Sequence, residues 1–451
     1  MALARELAGT LRRLHGDTLD PRIAARMRLH VADTIGVALA ARADAALCRS
    51  IEKAAASGPA AGAAIIGSAA RAPAPAAAFA NAALAHAMDF DDIHDYARLH
   101  PTPVTLAAAL AVATDPAGAP APRDWTRLTG AVALGNEALC RLGLACAPDG
   151  SSAVSNWFTT QLLGGFGAAL AAGWMMGLDD AGLEAALGFA GMQAAGHKEP
   201  AFGVGSNARQ VYPGFAAMAG VTAARMAAAG LSAPAGAIDG AAGVWRVYLG
   251  RAPDEALRAL ALEPSHWHAT EVSFKPWPCC RLSHPYVSAA LALRERLAGR
   301  PIERLVVGVN PSADRLCWPL DARVRPATLS DAKYSIPFIT AWTIVHGEPS
   351  LERLDARALS DPAVLALAAR IAIEPGLPDR PGHPPARLHA WPAGGGAALS
   401  SAADAPPELD AAGVRAKFLV CARHGGLDDG EALWEAIVNG APAPLHAVGL
   451  A

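Results

Sequence analysis

The sequence predicts a mainly α protein, with a large all-α helical domain built from both ends of the chain and a smaller α+β domain inserted between them. Three observations predict it. Apolar residues recur at helical spacing through about the first 265 residues, short β-branched or alternating runs are confined to the stretch after His268, and helical texture returns from Ala411. With 451 residues, 53% of them hydrophobic and 18% charged, the chain buries a large core and is long enough for about two or three domains.

The elements follow in order. Ile23, Met27, Val31, Ile35 and Leu39 stand every four residues, the spacing that lines one face of a helix. Alanine-rich windows near 76–88, 103–114, 127–145, 162–178, 181–196 and 213–229 continue the bundle, because alanine has the best helix propensity and lets helices approach closely. Pro/Gly/Ala stretches at 71–75 and 115–122 interrupt it, the second before a new helix near Trp125. No residue from Ser151 to Leu178 is charged, a length that raises the question of a membrane span. Its polar first half and the Asp179–Asp180 pair after it predict a buried core helix instead. Beyond His268, strands are expected at Arg304–Val309, Arg370–Glu374 and Arg387–Trp391, between helices at 281–298 and 331–346. The span Pro375–Pro407 is rich in Pro and Gly and predicts short strands and exposed loops. The domain limits expected are 1–265 with 408–451 for the helical part and 266–407 for the α+β part.

Charge and cysteine usage exclude several functions. Thirty-eight Lys+Arg scattered among 41 Asp+Glu leave a net charge of −3 and no basic stripe, so a nucleic-acid partner is not expected and a small-molecule partner is. The seven cysteines are odd in number and, apart from Cys279–Cys280, lack metal-ligand spacing, as in a reducing cytoplasmic compartment. Met1–Thr18 carries Arg5, Glu6, Arg12 and Arg13 and lacks the apolar stretch of a signal peptide.

The densest chemistry runs from His86 to His100, where three histidines and four aspartates fall within 15 residues. If residues 76–92 form one helix, His86 and Asp89 share a face while Asp91 and Asp92 point elsewhere. Some of these carboxylates also suit helix caps or arginine partners. Asp91-Asp92-Ile93-His94-Asp95 matches the DDxxD pattern with which all-α isoprenoid synthases hold magnesium, which makes a magnesium-dependent terpenoid synthase a remote alternative. Against it, the chain lacks a second such motif and has only 6% aromatics. A zinc site from His86, His94 and His100 has no supporting short spacing, so none is expected there.

The segment His86–Pro101 resembles the signature of the MmgE/PrpD family, in which Asp-Phe-Asp-Asp precedes His-Pro after a short polar loop. Similar marks follow in register: Asp33-Thr34-Ile35-Gly36, Gly164-Gly165-Phe166-Gly167-Ala168-Ala169, Gly188 to Gly196, Gly214-Phe215-Ala216-Ala217, Phe274-Lys275-Pro276-Trp277-Pro278-Cys279-Cys280 and Asp331-Ala332-Lys333-Tyr334-Ser335. The resemblance implies an all-α domain with an inserted α+β lid, a homodimer, and cofactor-free proton chemistry beside a carboxylate of a small di- or tricarboxylic acid. Members of that family include 2-methylcitrate dehydratases, cis-aconitate decarboxylases and iminodisuccinate epimerases.

Carried over by position, the resemblance makes Asp89, His100 and Lys275 active-site residues: His100 a proton carrier, Lys275 a carboxylate clamp, Asp89 an orienting partner or second base. Departures stand beside these matches. Phe158 replaces a decarboxylase histidine, Arg209 replaces a lysine while keeping its charge, Tyr212 replaces a histidine and can act as an acid, and Cys280 stands at a further histidine position. Arg281 and His284, three apart on the predicted helix at 281–298, complete the candidate substrate-binding set. The expectation is a hydro-lyase first, an epimerase second and a decarboxylase last, with a catalytically silent carboxylate binder as the reading that Phe158 favours. All of it presumes that Asp89, His100, Arg209 and Lys275 act around one acidic metabolite.

Overall fold

A computed structural model describes residues 2–16, 18–55, 62–117, 124–146 and 156–439. The chain forms two compact units: Met1–Lys198, Gln210–Phe274 and Asp410–Ala451 make the first, Glu199–Arg209 and Lys275–Leu409 the second.

The first unit is helical. Its helices include α1 (Leu3–His15), α2 (Pro21–Ala40), α3 (Ala45–Ala55), α4 (Ala74–Ala87), α5 (Pro101–Thr114), α6 (Trp125–Cys146), α7 (Thr159–Met176) and α8 (Asp180–Gly191), followed by Ala208–Ala228, Ala411–His424 and Gly430–Val438. Helix α2 starts where the Asp20 carboxylate accepts the Arg22 N–H and Pro21 occupies the first turn, two devices that satisfy or dispense with the free N–H groups of a helix start. Met27, Val31 and Ile35 of its four-residue stripe are fully buried. Helix α7 packs against α5 and α6. Gly135 of α6 and Gly167 of α7 permit that approach, since a Cβ on either would lie 2.7 Å from the other's carbonyl oxygen. The uncharged run therefore yields a buried helix over Thr159–Met176, while 151–155 fall outside the described residues. No described helix is long and apolar enough to cross a membrane.

Asp33 and Gly36 both face the helix Ala411–His424. The Lys417 ammonium lies 2.8 Å from the Asp33 carboxylate, and a Cβ at Gly36 would meet the Phe418 ring at 2.8 Å. Residues 411–439 form two helices rather than one, because Gly425 and Gly426 end the first, Gly426 at a φ of 87°. A two-residue antiparallel pair, β1 (Ala63–Ala64) with β2 (Arg71–Ala72), is the strand pairing described in this unit's named elements.

The second unit contains a four-stranded sheet in the order β4-β3-β5-β6, formed by β3 (Ile302–Val309), β4 (Ile371–Pro375), β5 (Ala386–Pro392) and β6 (Leu399–Ala403). Strand β3 runs parallel to β4 and antiparallel to β5, and β5 is antiparallel to β6. Leu305, Val307, Val309, Leu388 and Ala390 are fully buried in one core with the helices His284–Leu297 and Ile336–His346. Strand β6, five residues long, lies inside the Pro375–Pro407 stretch expected to hold short strands and exposed loops, at a position not singled out from sequence. Its burial alternates between half-buried and exposed, so as an edge strand it carries little of the hydrophobic signal that reveals a strand in sequence. The helix expected over 331–346 is two: Ser335 caps the second by accepting the Phe338 N–H, and Pro337 sits in its first turn. The helix expected from 281 begins at His284, after a 3-10 turn over Arg281–Ser283.

Candidate active site

Helix α4 delivers His86 in its last turn and stops at Ala87, so Asp89 is not on a helix with it. The chain turns at Asp89, whose φ of 49° is a left-handed conformation that Asp tolerates better than most residues. The following loop is pinned along its length. Ile93 exchanges two backbone hydrogen bonds with Ser273, the His94 N–H donates to the Leu99 carbonyl, and Lys417 donates to the Phe90 carbonyl at 2.6 Å. Pro101 then starts α5 with His100 as its N-cap residue.

Two adjacent carboxylates in this loop point to different partners. Asp91 lies with one oxygen 2.9 Å from His86 Nδ1 and 3.0 Å from His100 Nδ1. Asp92 receives His30 Nδ1 at 2.8 Å and the Thr102 hydroxyl, which in turn accepts from Asn136. Both aspartates are fully buried. His100 Nδ1 is also 2.7 Å from the Asp92 carbonyl oxygen, an acceptor, so Nδ1 carries the proton and Nε2 keeps a lone pair. The His100 N–H donates to the Thr160 hydroxyl at the start of α7.

Donor atoms of His86, Asp89 and His100 lie within 4.8 Å of one another, a set able to relay a proton or to hold a divalent ion. The His86 and His100 rings meet edge to face at 4.8 Å, and His86 meets the Tyr212 ring at 5.0 Å. Tyr212 stacks on Phe158, with centroids 4.2 Å apart and planes 13° from parallel. The first unit thus brings together Asp89, His100, Phe158 and Tyr212, along with His86 and Asp91, to which no site role was assigned from sequence. Burial lowers the pKa of His86 against the opposing pull of Asp91, keeping the ring neutral. Burial likewise raises Asp33 to about 6, opposed by Lys417.

In place of one helix carrying His86 and Asp89, the geometry shows a helix end followed by a turn. The DDxxD reading requires Asp91 and Asp92 to aim at a shared magnesium; instead they serve imidazoles in different places. His94 does not join His86 and His100, because its Nε2 lies 3.4 Å from Glu271.

The remaining candidates belong to the second unit. The Arg209 guanidinium stands 3.3 Å from the Tyr334 ring centroid and 3.9 Å from Cys280 Sγ, and donates to the Ala201 carbonyl. Lys275 is fully buried, Cys280 and Arg281 are buried, and the Cys280 N–H donates to the Lys333 carbonyl. His284 is buried, with Nε2 3.2 Å from the Cys279 carbonyl and its ring 5.3 Å from Trp277. All seven cysteines are free thiols.

Comparisons with known proteins give the chain a family. The model of the MmgE/PrpD N-terminal domain matches residues 5–256, and that of the MmgE/PrpD C-terminal domain matches 277–379. A cis-aconitate decarboxylase of Aspergillus terreus (strain NIH 2624 / FGSC A1156) is 30% identical over 230 residues, 49% of this chain and 46% of that protein. Cis-aconitate decarboxylase-like protein oryM of Aspergillus oryzae is 27% identical over 328 residues, 68% of this chain and 66% of that protein. Cis-aconitate decarboxylase of Homo sapiens is 25% identical over 311 residues, 67% and 62% of the two chains. The chain spans about half the length of the Aspergillus terreus relatives it matches. With the N-terminal model alone covering more than half of its 451 residues, the chain belongs to the MmgE/PrpD family.

Proposed function

We propose that this protein is a lyase or isomerase of small di- or tricarboxylic acids that moves a proton at the carbon beside a carboxylate, with dehydration as its reaction. The observation that carries the proposal is the shared Asp91 carboxylate, which orients the buried His86 imidazole and the partly buried His100 imidazole beside Asp89. His100 Nε2 takes the proton from the carbon next to the carboxylate, and the C–H electron pair becomes the new C=C bond. The hydroxyl on the adjacent carbon leaves as water, with Tyr212 the donor of its proton. Asp91 offsets the positive charge that develops on the imidazole, the role a buried carboxylate plays behind a catalytic histidine. Asp89 is the second carboxylate of the relay. Lys275 and Arg209 are the cations assigned to the substrate carboxylates; arginine holds a carboxylate through two parallel bonds and serves there as a clamp rather than a proton donor.

Decarboxylation is the second reading, favoured by the names of the relatives. Phe158 weighs against it, since an apolar ring stacked on Tyr212 transfers no proton. A panel of 2-hydroxy and unsaturated di- and tricarboxylates, followed by NMR in deuterated water, tests the proposal. Loss of water to give an unsaturated acid is expected, and His100→Asn should abolish it without changing the circular dichroism. Deuterium incorporation without net change means an epimerase, and release of carbon dioxide a decarboxylase. Saturable carboxylate binding with none of these means a silent binder and overturns the enzymatic reading.

A further inference from the structure

We propose that His266, His268 and Glu271 form a binding site for one divalent transition-metal ion of the zinc type, separate from the His86–Asp89–His100 cluster. One imidazole nitrogen from each histidine and a carboxylate oxygen of Glu271 lie within 4.8 Å of one another, close enough for small side-chain movements to gather them on one ion. Glu271 is 2.8 Å from His266 Nε2 and 3.7 Å from His268 Nδ1, and the two rings meet edge to face at 4.6 Å.

His268 is the second, independent pointer to a ligand. Both of its ring nitrogens are shielded from solvent and neither makes a hydrogen bond. A packed imidazole ordinarily satisfies at least one nitrogen, whereas here Nδ1 stands 3.7 Å from the Glu271 carboxylate, too far for a hydrogen bond and placed to share an ion with it.

The backbone beneath the cluster is fixed by a fully buried ion pair on α6. Glu137 and Arg141 stand 2.6 Å apart. The Arg141 guanidinium donates to the His266 carbonyl at 2.9 Å, and the Glu137 carboxylate accepts the Ala269 N–H at 2.7 Å. The backbone that carries the two histidines is therefore held in place before any ion arrives. His94 supports Glu271 from the other side. Its Nδ1 accepts the Ala97 N–H, and its Nε2 lies 3.4 Å from the Glu271 carboxylate.

Two imidazoles and one carboxylate suit zinc and its neighbours in the transition series, whereas magnesium and calcium prefer sites built only from oxygen. Three protein ligands leave a coordination position to water. Because Ser273 pairs with Ile93 and its hydroxyl donates to Asp95, an ion here also braces the 88–100 loop that carries Asp89, Asp91 and His100.

The test uses the untagged full chain, stripped with a chelator and dialysed against zinc, with bound metal measured by mass spectrometry and thermal melting recorded in parallel. Zinc binding that includes one equivalent lost in both His268→Ala and the surface variant H266A/E271Q, with at least a tenfold weakening, is the expected result, together with a zinc-dependent rise in Tm that both variants lack. His86→Ala should keep that equivalent. No stoichiometric binding by the parent chain, undiminished binding by both variants, or loss only in His86→Ala overturns the proposal.

Discussion

One oxygen of Asp91 lies between two imidazoles, and that sharing sets what each ring can do. With the His100 Nδ1 proton directed to protein oxygens, the proposed reaction uses its Nε2 to take a proton from the substrate. Replacing the carboxylate by an amide keeps the size and removes the charge that steadies the imidazolium. Asp91→Asn should therefore slow proton exchange at the substrate carbon by roughly 10²–10⁴, on the scale set by removing the carboxylate behind a catalytic histidine. Deuterium exchange under saturating substrate reads this directly, and a rate within twofold of the parent would falsify the assignment. Asp91 was legible as chemistry but not as a role. In a helix, consecutive aspartates diverge by a fixed angle; in the irregular loop after Asp89 the backbone alone decides that Asp91 meets His86 and His100 while Asp92 meets His30 and Thr102.

At the level of elements, helix periodicity and turn chemistry were readable because they are local. The stripe of α2, the buried α7 and strands β3, β4 and β5 follow from spacing and side-chain type. Element ends followed less well. Helix α8 stops at Gly191 rather than 196, and α4 ends at Ala87. What Gly36 does is also an element-scale matter, since its worth depends on a helix nearly four hundred residues later in the chain. Gly36→Ala gains about 1 kcal/mol of helix propensity. It also places a methyl carbon 2.8 Å from the Phe418 ring, and overpacking of this kind costs about 1–3 kcal/mol. The net expectation is a loss of up to about 2 kcal/mol, seen as a lower urea midpoint with an unchanged m-value; a higher midpoint would show that the two helices separate freely.

For the molecule as a whole, buried titratable groups tie stability to pH. His30 is fully buried, and burial holds its pKa below 6.5 despite the bond to Asp92. As pH falls below 6.5, the unfolded chain takes up the proton before the folded one does, so this contribution is present above 6.5 and lost on acidification. Asp33 acts in the opposite direction. Its carboxyl is raised to about 6 from 3.8, so the folded state holds that proton more tightly and gains stability as pH falls through that interval. The variant His30→Gln separates the two. Between about pH 7.5 and 5.5 it should lose up to about 1.4 kcal/mol less stability than the parent, the equivalent of one pKa unit. Parallel denaturation curves for the two proteins at both pH values would rule out His30 as the source.

By itself, the amino-acid order determined the helical class, the α+β texture of the later segment and the family signature around His86–Pro101, because propensity, periodicity and short motifs act over a few residues. Tertiary structure alone decided that Asp91 joins His86 to His100, that Asp33 and Gly36 answer to Lys417 and Phe418, and that Glu271 gathers His94, His266 and His268. Those pairings depend on the path of irregular loops and on how distant segments meet, neither of which the spacing of residues along the chain encodes.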